Sequence, residues 1–168
     1  DPLLMVPGTT TPITALTGQR HTAGLEVEMA GRITPAWEVF TSWMWMPGAK
    51  VDKAATCPTT ITPPATTPPA CAQATVGERP GDRPALTPKL SGTAWTTYQL
   101  NERWRLGAGL NFTGAQRPTR AAFTVPSHLT VDLMAEFRPN DKWTVKGNVS
   151  NLTNKYYASE LYPGHYVP

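Results

Sequence analysis

The sequence predicts an all-β chain, an antiparallel up-and-down meander of about six strands that forms part of a transmembrane β-barrel. Apolar and polar residues alternate with period two in the segments 19–31, 37–46, 89–100, 104–113, 128–137 and 143–153. All 18 prolines fall between these segments or at the chain ends, as expected of strands that need every backbone N–H for their ladders. The connections run short, long, short, long, short, long, and each short one is followed by a tryptophan.

Each segment repeats one pattern. In the first, Leu25, Val27 and Met29 oppose Glu26, Glu28 and Ala30, because successive side chains project to opposite faces of a sheet. The second opens at Trp37, after Thr34-Pro35-Ala36. The long connection 47–88 follows, with Pro58, Pro63, Pro64, Pro68 and Pro69 among threonines, an extended tract with no apolar period that is expected to be a surface loop. Cys57 and Cys71 flank the tract without a Cys-x-x-Cys pair, so a disulfide and an oxidising compartment are expected. Segment 89–100 turns through Asn101-Glu102-Arg103 into Trp104, where Trp104, Leu106, Ala108, Leu110 and Phe112 alternate with Arg105, Gly107, Gly109, Asn111 and Thr113. Next, Leu129, Val131, Leu133, Ala135 and Phe137 alternate with Thr130, Asp132, Met134, Glu136 and Arg138, and Asn140-Asp141-Lys142 leads into Trp143. Trp37, Trp104 and Trp143 therefore stand at one level, as an aromatic girdle would. Leu106, Leu110, Val131 and Leu133 are expected to face lipid.

Composition excludes other classes. Charged residues make up 16% and the net charge is +3, too little for a disordered polyampholyte or a dedicated nucleic-acid binder. Prolines are too evenly spread for a helix bundle, and no apolar run is long enough for a helical membrane span. Asp1-Pro-Leu-Leu-Met reads neither as a signal peptide nor as a translation start, so the chain is expected to be a piece of a longer protein.

Chemistry is sparse. His21, His128 and His165 form no metal-binding pair, and Glu26 and Glu28, about 7 Å apart at the strand rise, read as barrel-wall carboxylates rather than catalysts. No nucleophile elbow or phosphate loop occurs, so neither enzymatic activity nor a cofactor nor a metal site is expected. The sequons at Asn111, Asn148 and Asn151 fall within strands or at a strand end. From Arg103 to Val131 there is no acidic residue, and the connection 114–127 carries Arg117 and Arg120. Guanidinium groups there suit an anionic ligand, or else lipopolysaccharide phosphates and solvent.

The runs Pro88 to Leu100, Trp104 to Gly114 and above all Asn148-Val-Ser-Asn-Leu-Thr-Asn-Lys-Tyr-Tyr157 resemble the closing strands of TonB-dependent outer-membrane receptors, the catecholate siderophore type in particular. Gly24 to Gly31 with Ile33 to Trp37 resembles that family's strand-turn-strand unit, and Tyr162 to Tyr166 its last extracellular loop. The resemblance implies a barrel of 22 strands in the outer membrane of a Gram-negative bacterium, closed by an amino-terminal plug, that imports a ferric siderophore with energy passed through TonB. This chain would supply about six of those strands, the 47–88 loop extracellular, without the plug, the TonB-contact segment or the final strand. Arg105, Asn111, Asp132, Glu136 and Lys146 would then face the plug. Arg117 and Arg120, with Arg79, Arg83, Tyr162, His165 and Tyr166, would meet the ligand at the extracellular rim, iron being held only by the siderophore. The Pro/Thr loop and its cysteines depart from the pattern. The alternative reading is a secreted adhesive or structural β-domain with a Pro/Thr-rich linker.

Overall fold

The computed structural model describes residues 3–5, 12–14, 18–53, 79–117, 123–158, 160–162 and 165–167. Two short ribbons lie toward the chain ends, β1 (Leu3–Met5) with β2 (Pro12–Thr14), and β11 (Glu160–Tyr162) with β12 (His165–Val167). Between them runs β3 (Gln19–His21), β4 (Leu25–Thr34), β5 (Trp37–Trp45), β6 (Lys50–Lys53), β7 (Leu90–Gln99), β8 (Trp104–Thr113), β9 (His128–Asn140) and β10 (Trp143–Val149). Six of these make one antiparallel sheet in the order β10-β9-β8-β7-β5-β4, a meander that does not close on itself.

The sheet has the predicted strands with shifted ends. Segment 19–31 is broken at 22–24, so β3 pairs with β6 rather than with β5. That places a strand at the start of the expected 47–88 loop; residues 54–78, with Cys57, Cys71 and the proline tract, lie outside the described residues. β10 stops at Val149, short of the expected 153, because Asn151 and Asn154 take left-handed backbone angles (φ 50 and 48) that no strand continues through. β9 runs on past 137 through Pro139, which is tolerated there because the β9–β10 register shifts between Trp143 and Val145.

Register fixes which side chains share a face. Leu110 pairs with Ala94 and Val131, Leu106 with Tyr98 and Ala135, and Leu133 with Ala108 and Val149, so one face is apolar across the sheet. Its large side chains are open: Leu25, Val27, Met29, Leu106, Leu110, Leu129, Leu133, Val145 and Val149 are all exposed. Val131 has the same parity but is half-buried. On the other face the side chains bury one another, as on the concave side of a curved sheet: Thr97, Thr130, Met134 and Glu136 are buried there. Ala49, Val51, Val125 and Met134 are the buried hydrophobic residues among those described, which is far too small a core for a soluble domain with this much open apolar surface.

The turns gather at one rim. Asn101 Oδ1 accepts from the backbone N–H groups of Arg103 and Trp104, both at 2.9 Å, and Asn140 Oδ1 accepts from those of Lys142 and Trp143 at 3.0 and 3.1 Å. An Asn-x-x-Trp sequence thus makes the same side-chain-closed turn twice. The indole of Trp104 stacks on Phe137 at 4.5 Å, Trp37 Nε1 donates to Thr96 Oγ1 at 2.7 Å, and Trp143 is 69% exposed.

Candidate functional site

The polar face carries a connected set of charges. Arg105, Glu136 and Lys146 are direct neighbours across β8, β9 and β10. The Arg105 guanidinium reaches across β7 to the Glu38 carboxylate of β5 and donates to Thr97 Oγ1 at 2.9 Å. Arg32 pairs with Glu38 at 3.0 Å and Arg138 with Glu136 at 2.7 Å. Asn111 Nδ2 donates to Asp132 Oδ2 at 2.8 Å, and the other Asp132 oxygen accepts the Asn151 backbone N–H at 2.8 Å. All five residues expected to line the inner wall, Arg105, Asn111, Asp132, Glu136 and Lys146, are thus on one face. The Trp95 ring lies against Gly107 and Gly109 there, and any Cβ at Gly109 would overlap it. With Phe40, Met134 and Lys146 it lines a cavity of about 400 Å³.

Of the residues expected to meet the ligand, Arg79, Arg83 and Arg117 lie in the described connections at the rim opposite the tryptophan turns. Arg83 donates to three backbone carbonyls, those of Met46, Thr87 (2.8 Å) and Pro88 (3.4 Å), so its guanidinium ties the base of the long connection to the sheet. Asp82 Oδ2 accepts the Arg79 backbone N–H at 2.9 Å. The Leu86 N–H donates to the Arg117 carbonyl at 2.9 Å, which joins this segment to the 114–127 connection, and the Arg117 side chain is exposed. Arg120 and Cys57 with Cys71 lie outside the described residues. Tyr162 closes β11 and pairs in register with His165 of β12, and Leu161 pairs with Tyr166.

Other residues at this rim escaped the sequence reading. Asn151 Oδ1 accepts the Lys155 N–H at 2.9 Å while its Nδ2 donates to the Lys155 carbonyl at 2.9 Å, a two-bond clamp that closes the chain after β10 into a tight turn. The clamp delivers Tyr157 onto His128, their rings stacked at 4.3 Å with 19° between planes. The signal was present in the Asn148 to Tyr157 motif, whose asparagines at left-handed positions mark a turn rather than a strand.

Residues 2–152 match the family model described as TonB dependent receptor-like, beta-barrel. The chain is 24% identical over 151 residues to a probable TonB-dependent siderophore receptor, PiuA, of Acinetobacter baumannii, covering 89% of this chain and 19% of that protein. It is 29% identical over 160 residues to the ferric-pyoverdine 358 receptor of Pseudomonas putida, covering 87% of this chain and 16% of that one. The crystal structure of the Acinetobacter baumannii siderophore receptor PiuA superposes with a TM-score of 0.71 at 23% identity, over 89% of this chain and 20% of that chain. The chain spans less than a fifth of the length of these curated relatives.

Proposed function

The chain belongs to the TonB-dependent receptor β-barrel family, and from that premise we propose that it is the wall of an outer-membrane receptor that takes up a ferric siderophore. The observation that carries the proposal is the division of one continuous sheet into an open apolar face and a self-burying charged face. Four of the six strands are nine or ten residues long, and with this alternation they suit a lipid bilayer outside and a filled lumen inside. Leu106, Leu110 and Leu133 then meet lipid hydrocarbon, with Trp37, Trp104 and Trp143 at the interface below. Arg105, Glu136, Lys146, Asn111 and Asp132 face a plug supplied by another part of the protein, and TonB acts on that plug. A secreted adhesive or structural domain is not supported, since such a domain would leave this apolar face in water.

The function is transport rather than catalysis, with iron as chelated cargo and no resident cofactor. Arg117 and Arg79 in the described connections, with Arg83 anchoring the base of the long one, draw in an anionic chelate, and Arg120, Tyr162, His165 and Tyr166 are proposed to join them. Their effect is long-range, so it weakens as the Debye length falls from about 10 Å at 0.1 M salt to about 3 Å at 1 M. The test is growth of an iron-starved Gram-negative strain lacking its own siderophore receptors, supplied with the whole receptor chain and single ferric siderophores. Growth that requires both the chain and TonB is expected; absence of uptake for every ferric siderophore tried, with the protein inserted in the outer membrane, would overturn the proposal.

A further inference from the structure

The upper edge of the apolar face gives way to a ribbon that is mostly basic. Leu25, Trp45 and Leu90 are direct neighbours across β4, β5 and β7, and all three are exposed. Beyond them the Gly48 N–H donates to the Ala23 carbonyl at 3.1 Å and carries the ladder on into β3 and β6, where Arg20, Lys50 and Lys53 stand against a single carboxylate, Asp52. We propose that this ribbon binds the phosphate groups of the glycolipid that forms the outer leaflet, an inference that rests on the membrane-spanning receptor reading above.

Register and charge argue for a lipid phosphate. His21 pairs with Lys50 and Gln19 with Lys53, whereas Arg20 shares the other side with Val51, which is 1% exposed and held at its N–H by Asp82 and at its C=O by Gly81. Counting in twos from Leu25 through His21 to Gln19 continues the lipid-facing side, so Lys50 and Lys53, both exposed, stand above that surface. Asp52 is occupied by His21, whose Nδ1 lies 2.8 and 2.7 Å from its two oxygens. Among the described residues neither lysine makes an ion pair. A lysine lays its apolar stem along hydrocarbon and lifts its ammonium to the phosphate layer, while an indole such as Trp45 suits the interface beneath. The turn rim has no such surplus. There Arg103 follows Glu102, Lys142 follows Asp141, and Arg32 and Arg138 pair with Glu38 and Glu136. Lysines near an anionic lipid surface are attracted to it within about a Debye length, so the difference between the rims matches a membrane whose outer leaflet is the more densely phosphorylated.

The purified whole receptor, stripped of lipid in a non-ionic detergent, is titrated with phosphorylated lipid A, with the same lipid dephosphorylated, and with inorganic phosphate. Lys50→Gln/Lys53→Gln is expected to weaken phosphorylated lipid A by about tenfold, the equivalent of about 1.4 kcal/mol, and removal of the phosphates should weaken binding to the parent chain by as much. Lys50→Arg/Lys53→Arg should retain affinity, Lys142→Gln at the turn rim should change nothing, and binding to the parent chain should weaken as salt rises. Millimolar inorganic phosphate should not displace the lipid. Heat-modifiable gel mobility identifies variants that keep the barrel; if the double glutamine variant loses it, the comparison of the two lipids and the salt dependence decide. Undiminished affinity in the folded double glutamine variant, an equal loss in Lys142→Gln, equal affinity for the two lipids, or displacement by inorganic phosphate would overturn the proposal. Ferric-siderophore uptake, measured separately, divides the two claims. Uptake with unaltered lipid A affinity in the variants sinks the lipid site alone, and the predicted affinity pattern without uptake of any ferric siderophore sinks the receptor function while the site is upheld.

Discussion

The two faces of the six-stranded sheet are built from the same strands yet solve opposite problems. On the apolar face Leu25, Met29 and Val145 stay more than half exposed, at 57%, 61% and 59%. On the polar face Glu38, Arg105, Thr97, Glu136 and Arg138 satisfy one another, and Glu136 is only 9% exposed. In water the first face would drive aggregation and the second would supply too little apolar burial to fold a domain. With lipid against one and protein or water against the other, both become sensible. The arrangement is an ordinary sheet turned inside out.

Substitutions that swap the faces should hurt most. Leu110→Arg in the whole receptor is expected to cost about 2 to 4 kcal/mol in the membrane, while Asn111→Arg, one residue along and on the other face, should cost no more than about 1 kcal/mol, for its hydrogen bonds to Thr93 and Asp132; urea unfolding from lipid vesicles measures both. Gly109→Ala should cost about 1 to 3 kcal/mol, because its Cβ would overlap the Trp95 ring, whereas Gly147→Ala meets nothing within 4 Å and should be nearly neutral. Asp132→Ala removes the acceptor of two hydrogen bonds, from Asn111 Nδ2 and the Asn151 N–H, and is expected to cost about 1 to 2 kcal/mol by the same assay. The smallest effect belongs to Arg32→Gln: its ion pair with Glu38 involves a side chain 70% exposed, and the loss should stay below about 1 kcal/mol and vanish in high salt.

What sequence makes legible follows from the range of the forces involved. β8 occupies 104–113 as expected, because period-two alternation alone determines which way each of its side chains points. The turn rim was equally plain, since Asn101 and Asn140 close their turns by bonds to residues two and three positions away. The loop rim was not. β6 exists because Lys50 and Val51 pair with His21 and Arg20, some thirty positions earlier, and Arg83 finds the Met46 carbonyl 37 positions away. Thr22 to Gly24 breaks the first segment where Gly48 donates its N–H to the Ala23 carbonyl and the backbone at Trp45 leaves no room for a Cβ on Gly24. Likewise His128 and Tyr157 read as a strand end and a motif end until the Asn151 clamp brings the two rings together. No periodicity records that folding-back.

The central claim, that one face of this sheet lies in lipid, is tested most directly by nitroxide scanning of β8. Single cysteines at positions 104 to 113, in the whole receptor with Cys57 and Cys71 replaced by serine, are spin-labelled in lipid vesicles and their exposure to oxygen and to a water-soluble nickel chelate compared. The account predicts a period of two: labels at 106, 108 and 110 accessible to oxygen and shielded from nickel, and labels at 105, 107, 109 and 111 shielded from the oxygen dissolved in lipid. A uniform profile along the strand, or the same period with the phase reversed, would contradict it.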